Sequence, residues 1–157
     1  MATQQKAVRV HGEPIGRSLR KRYTNASKPS WEETGRHFHH QHRKRRFTHR
    51  HATEAGFQKR SPLYLRMKFR KYGHTYPLKK TGEAEAQSRT ARVTARGGTG
   101  QLKAQGGVKV LYKIRKFNFR PSGINLRDEF TRVTDREARQ LGNYWGARFG
   151  PRFSNGA

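Results

Sequence analysis

Six of the eight histidines fall between His37 and His51, and the eleven residues from His37 to Phe47 hold four histidines and four cations. On a helix, His37 with His40 and His39 with His42 stand three residues apart, a spacing that can pinch a metal ion. The surroundings argue against that use. The chain has no cysteine, Glu32 and Glu33 lie a turn or more away, no His-Glu-x-x-His occurs, and Arg43, Lys44, Arg45 and Arg46 oppose a second positive ion. The tract therefore reads as one face of a helix with a basic end, set to meet phosphates or an acidic surface, and no metal or other cofactor is expected. Catalysis has less support still. Of the ten acids, Glu33, Asp135 and Glu137 are taken up as helix N-terminal residues, and the others form no paired-carboxylate site. Gly97-Gly98-Thr99-Gly100 lacks the following helix and lysine of a phosphate loop. The chain is expected not to be an enzyme.

Charge sets the class of partner. Thirty-six Lys and Arg against ten Asp and Glu leave +26 on 157 residues, distributed as +10, +8 and +8 over residues 1–50, 51–100 and 101–157. A basic arm appended to a neutral domain would load one end; here the whole body is basic, which favours a polyanion or acidic protein neighbours. Hydrophobic residues are 31%, so the core is small and neighbours are expected to contribute stability, while 11% aromatics exceed what a solvated tail carries. No apolar run approaches the roughly 18–20 residues that span a bilayer, and the N-terminus lacks the apolar stretch of a signal peptide. Cations alternate with aromatics at Arg45-Arg46-Phe47, Tyr64-Leu65-Arg66, Phe69-Arg70-Lys71-Tyr72 and Tyr112 to Arg120, a texture suited to phosphate contact with stacking. The contact residues expected from these clusters are Arg17, Arg20, Lys21 and Arg22; Arg43, Lys44, Arg45 and Arg46; and Lys113, Arg115 and Lys116.

The elements that must position these groups follow from period and punctuation. Residues 1–29 are poor in apolar side chains and broken by Gly12, Pro14, Gly16 and Pro29, which predicts an extended basic arm. Ser30-Trp31-Glu32-Glu33 reads as a capping box opening a helix over about 31–45. Ser61-Pro62 opens a second, with Leu65, Phe69 and Tyr72 on its core face and Gly73 just past its end. From Thr90 the period becomes two; Gly97-Gly98-Thr99-Gly100 and Gly106-Gly107 read as turns, on either side of a short strand at Gln101 to Gln105, of a three-stranded antiparallel meander with one basic face, to which Pro77 to Lys80 would add a fourth, edge strand. Thr134-Asp135-Arg136-Glu137 is a second capping box, for a helix over about 135–147 that Gly150-Pro151 ends. The expectation is an α+β fold: a single domain at 30–149 with about three helices and a three- to four-stranded antiparallel sheet, an arm at 1–29 and a tail at 150–157.

Several stretches, taken in order, resemble one family. They are Trp31-Glu32-x-Thr34-Gly35, Phe38-His39, Arg46-Phe47-Thr48, Gly73-His74-Thr75-x-Pro77-Leu78-x-x-Thr81-Gly82-Glu83, and Ile124-Asn125-Leu126-Arg127-Asp128-Glu129-Phe130-Thr131-Arg132-Val133-Thr134. Over about residues 31–134 the chain resembles the virion-morphogenesis group of tailed bacteriophages: neck, head–tail adaptor and tail-completion proteins. The resemblance implies a non-enzymatic structural protein, resident in the virion and in the host cytoplasm during assembly. It implies a ring of copies at the head–tail junction, in contact with portal, neck or tail proteins, with phage DNA passing non-specifically through its channel. The reading from the residues alone leaves a ribosomal-type RNA-binding protein as the alternative, since it shares the charge, the small core and the arms.

Overall fold

The computed structural model describes residues 15–99, 104–115 and 123–155. Its class is α+β, with six α-helices and one two-stranded antiparallel sheet among the described residues. The order is α1 (Ile15–His37), α2 (His49–Glu54), α3 (Pro62–Tyr72), α4 (Glu83–Gln87), β1 (Ala91–Thr99), β2 (Ala104–Tyr112), α5 (Leu126–Thr131) and α6 (Asp135–Asn155).

Helix α1 starts at Ile15, well before the expected cap at Ser30, and runs through Pro29. Ser30 caps nothing: its hydroxyl donates to the carbonyl of Ala26 at 2.7 Å, inside the helix. Residues 15–29 are thus helix rather than arm, and residues 1–14 lie outside the described part. Tertiary packing outweighs the cost of roughly 3 kcal/mol for an interior proline. Tyr23 meets Phe149 edge-on at 5.3 Å and Trp31 stacks on Trp145 at 5.0 Å. The same packing carries α6 past Gly150 and Pro151 to Asn155. Trp145, Phe149 and Phe153 form a ladder of stacked rings, Arg152 pairs with Glu33 at 2.6 Å, and Arg22 donates to the carbonyl of Phe153 at 2.8 Å. The expected tail is helix as far as residue 155.

The sheet differs from the expected meander for a reason visible in its register. β1 and β2 pair from Ala91↔Tyr112 to Thr99↔Ala104, which places Gly97 opposite Gly106 within the ladder. These glycines are not turns. A Cβ on Gly97 would stand 2.6 Å from the amide nitrogen of Lys28, and one on Gly106 would stand 2.4 Å from Nε1 of Trp31. They let the ribbon lie directly on α1, the strand use of glycine where another backbone approaches. Pro77 to Lys80 forms a turn, with Leu78 at φ 54°, so the edge strand is absent there. Of the expected middle strand, Gln101 to Gln105, the first three residues are outside the described part, and Ala104 and Gln105 belong to β2.

The apolar core is small: Phe47, Leu78, Leu126 and Phe130, flanked by Phe57, Tyr112, Ile114 and Ile124. Helix α3 has the ends read from sequence, with the Ser61 hydroxyl accepting from Tyr64 N at 3.2 Å and Gly73 left-handed at φ 70°. Its faces differ from that reading. Phe69 is 59% exposed and Lys68 is buried, because the lysine stem runs along the body and its ammonium donates to the carbonyl of Tyr76.

Candidate nucleic-acid and partner interface

The histidine tract is built around one carboxylate. Past His37, α1 widens into a π-helical turn over Phe38–His42 and then tightens into a 3-10 turn over Arg43–Phe47. This change of pitch turns His42, Arg43 and Arg46 inward and leaves His40, Lys44 and Arg45 exposed. Opposite them stands Glu137, 3% exposed, at the start of α6. The second capping box is reciprocal: Glu137 N donates to the Thr134 hydroxyl at 3.2 Å, and Thr134 N donates to Glu137 Oε2 at 3.0 Å. The same carboxylate lies 3.3 Å from His42 Nδ1 and 3.0 Å from Arg46 Nη2, with His51 Nδ1 at 3.9 Å. Burial works to raise the Glu137 pKa, but the hydrogen bond from His42, the Thr134 amide, Arg46 and His51 together outweigh it and hold the carboxyl at about 2. Burial pulls Arg46 down from its ordinary value, an effect the charge of Glu137 opposes.

Three other histidines have partners away from Glu137. His37 stacks on Tyr144 at 4.1 Å, His39 bonds the carbonyl of Arg89 at 3.0 Å, and His74 bonds the carbonyl of Lys80 at 3.2 Å. Among the described residues no three His, Cys, Asp or Glu side chains are grouped to hold a metal ion. A second buried carboxylate, Glu129, takes both Nη groups of Arg60, at 2.8 and 2.5 Å, and the amide of Gln58 at 3.1 Å. Sequence reasoning missed this pair, because Arg60 and Glu129 lie 69 residues apart with no local pattern joining them.

Of the expected contact residues, Arg17, Arg20 and Lys21 are exposed on α1, whereas Arg22 is half-buried against Phe153. Lys113 and Arg115 are exposed after β2, and Lys116 lies outside the described residues. Arg43 is 8% exposed and Arg46 1%, so the four-residue cluster 43–46 narrows to Lys44 and Arg45 as surface cations. The larger basic surface is the ribbon. Ala95, Val93 and Val110 turn toward α1, and the alternate residues Arg92, Arg96 and Lys109 are exposed on the opposite face. The period-two pattern from Thr90 onward already carried that face. Since α1 covers one side of the ribbon, the cations of the other side can meet phosphates, and among the described residues of that side no aromatic offers a base platform. Among the described residues no helix is long and apolar enough to cross a membrane. No protein-family model, curated protein or solved structure matches the chain.

Proposed function

We propose that the chain is a structural subunit of a tailed-bacteriophage particle, forming a ring at the head–tail junction as a neck, adaptor or tail-completion protein. Part of its basic surface faces the DNA passing through. The observation that carries this reading is the amount of surface left for neighbours. Around a core of four large apolar side chains, Leu63, Met67 and Phe69 of α3 stand 68%, 55% and 59% exposed, interleaved with Arg66, Arg70 and Lys71. A thin domain of this kind gains stability by burying such surface against copies of itself and other assembly proteins. The stretch Gly73 to Glu83, one of those that resemble the family, supports the reading as a compact connector: left-handed Gly73 and Gly82 bracket it, and Leu78, 1% exposed, anchors it in the core. The outward cations of the ribbon suit DNA that must slide, because phosphate attraction without base readout holds no register.

Native mass spectrometry of nuclease-treated protein tests the proposal. A closed oligomer of one stoichiometry is expected. A monomer that assembles only when RNA is restored would transfer the reading to an RNA-binding structural protein, for which the same ribbon cations would serve.

A further inference from the structure

A cavity of about 230 Å³ opens between the inner face of the ribbon, the end of α1 and the corner where α5 meets α6. Its walls are mostly apolar, with Val108 and Val110 on the sheet side and Leu141 on α6. The volume exceeds the roughly 150 Å³ that accepts a benzene ring. Five polar side chains also line it: Thr34, Thr131, Arg43, Arg46 and Tyr112.

The charges around this cavity do not balance. Arg46 is ion-paired, with Nη2 3.0 Å from Glu137, and its Nη1 donates to the carbonyl of Arg132. Arg43 is 8% exposed, gives Nη1 to the Ser88 hydroxyl at 3.0 Å, and has no partner at Nε. Among the described residues no carboxylate lies within ion-pair distance of Arg43, and Glu137, the buried acid of this cluster, is already within ion-pair distance of Arg46 and His42 and accepts from Thr134 N. Two buried guanidiniums thus line the cavity, and of the two only Arg46 has a carboxylate partner among the described residues. An uncompensated buried charge is costly, and a bound anion removes the imbalance.

We propose that this cavity binds a small apolar monocarboxylic acid, its hydrocarbon body against Val108, Val110 and Leu141 and its carboxylate on Arg43. One surplus positive charge matches one negative charge, whereas a doubly charged, strongly hydrated phosphate would overshoot the balance and lose its water to apolar walls. Tyr112 adds a donor. Burial pushes its phenol up to about 12, so the hydroxyl stays protonated, and its contact with His39 Nδ1 is long at 3.4 Å. Such binding is independent of the particle reading, since it uses only the interior of one chain.

The test is a titration of the full chain, with methyl-labelled valine and leucine, against 3-phenylpropionate, followed by NMR. Saturable one-to-one shifts at Val108, Val110 and Leu141 are expected. The matched alcohol, 3-phenylpropanol, should bind about tenfold more weakly, the size of one charge-assisted hydrogen bond, and acetate should not compete. Arg43→Gln should erase the difference between acid and alcohol, and Leu141→Trp should fill the cavity and abolish both. If Arg43→Gln fails to fold, the acid–alcohol difference on the unaltered chain decides. Equal binding of acid and alcohol, competition by acetate, or shifts confined to the basic surface would overturn the proposal.

Discussion

Replacing Glu137 with Gln removes one negative charge and little else. Gln also serves at the N3 position of a capping box, so the start of α6 keeps its cap. What disappears is the partner of Arg46 and His42 in a site 3% exposed. Two routes give the size. The carboxyl is held at about 2 against an ordinary 4.5, and at about 1.4 kcal/mol per unit this corresponds to about 3 kcal/mol. Breaking one member of a buried pair costs roughly 3–5 kcal/mol in general. The sign follows from proton uptake. The unfolded chain binds a proton near pH 4.5 and the folded chain only near 2, so this stability is fully present above 4.5 and is lost as pH falls toward 2. Urea unfolding followed by circular dichroism should find Glu137→Gln about 3 kcal/mol less stable at pH 7, with the gap to the parent closing as pH falls from 4.5 to 2. A deficit under about 1 kcal/mol, or parallel acid limbs for the two proteins, would refute the assignment of Glu137 as the charge that organises the tract.

Glycines on the two long helices should respond oppositely to alanine. At Gly35 the new Cβ would stand 2.4 Å from Val108 Cγ2 and 2.7 Å from Val93 Cγ1, so Gly35→Ala should destabilise by about 1–3 kcal/mol. At Gly146 nothing lies within 4 Å, so Gly146→Ala should stabilise by up to about 1 kcal/mol in thermal unfolding. Lys68 is held by burial, with Arg60 adding to the effect, at about 8 against an ordinary 10.5. The unfolded chain therefore binds more protons between those values, so stability should rise with pH from about 8 to 10.5, and Lys68→Met should remove that rise. Replacing Arg92, Arg96 and Lys109 with Gln should reduce the salt slope of DNA retention by about 0.9 for each phosphate no longer neutralised; an unchanged slope would mean that the ribbon face meets no phosphate.

Local signals in the sequence located the elements that close on themselves. Ser61-Pro62 with Gly73 and Thr134 with Glu137 are short-range hydrogen-bond devices, and each forms as its pattern says. The alternation after Thr90 correctly separated a basic from an apolar face. What could not be read was packing between distant segments. The glycine pairs resemble turns until α1 is known to cross beneath them, and Pro29 and Gly150-Pro151 resemble helix ends until the aromatic ladder between α1 and α6 overrides them. The short helices α2 and α5 rest on single caps, Thr48 accepting from His51 N and Asn125 accepting from Arg127 N and Asp128 N, signals too common in loops to stand out. In the tract itself, composition indicated charge and residue spacing indicated a helix. The inward turn of His42, Arg43 and Arg46 depends on the π-helical turn and on Glu137 from the far end of the chain.

Whether this chain works as a repeated subunit around DNA is addressed most directly by electron microscopy of the native particle and of the purified protein. Closed rings of the isolated chain are expected, with density for it in the neck of a tailed particle and with Arg92, Arg96 and Lys109 or the exposed cations of α1 lining the channel. A ribonucleoprotein particle with the chain threaded among RNA helices would contradict the proposal.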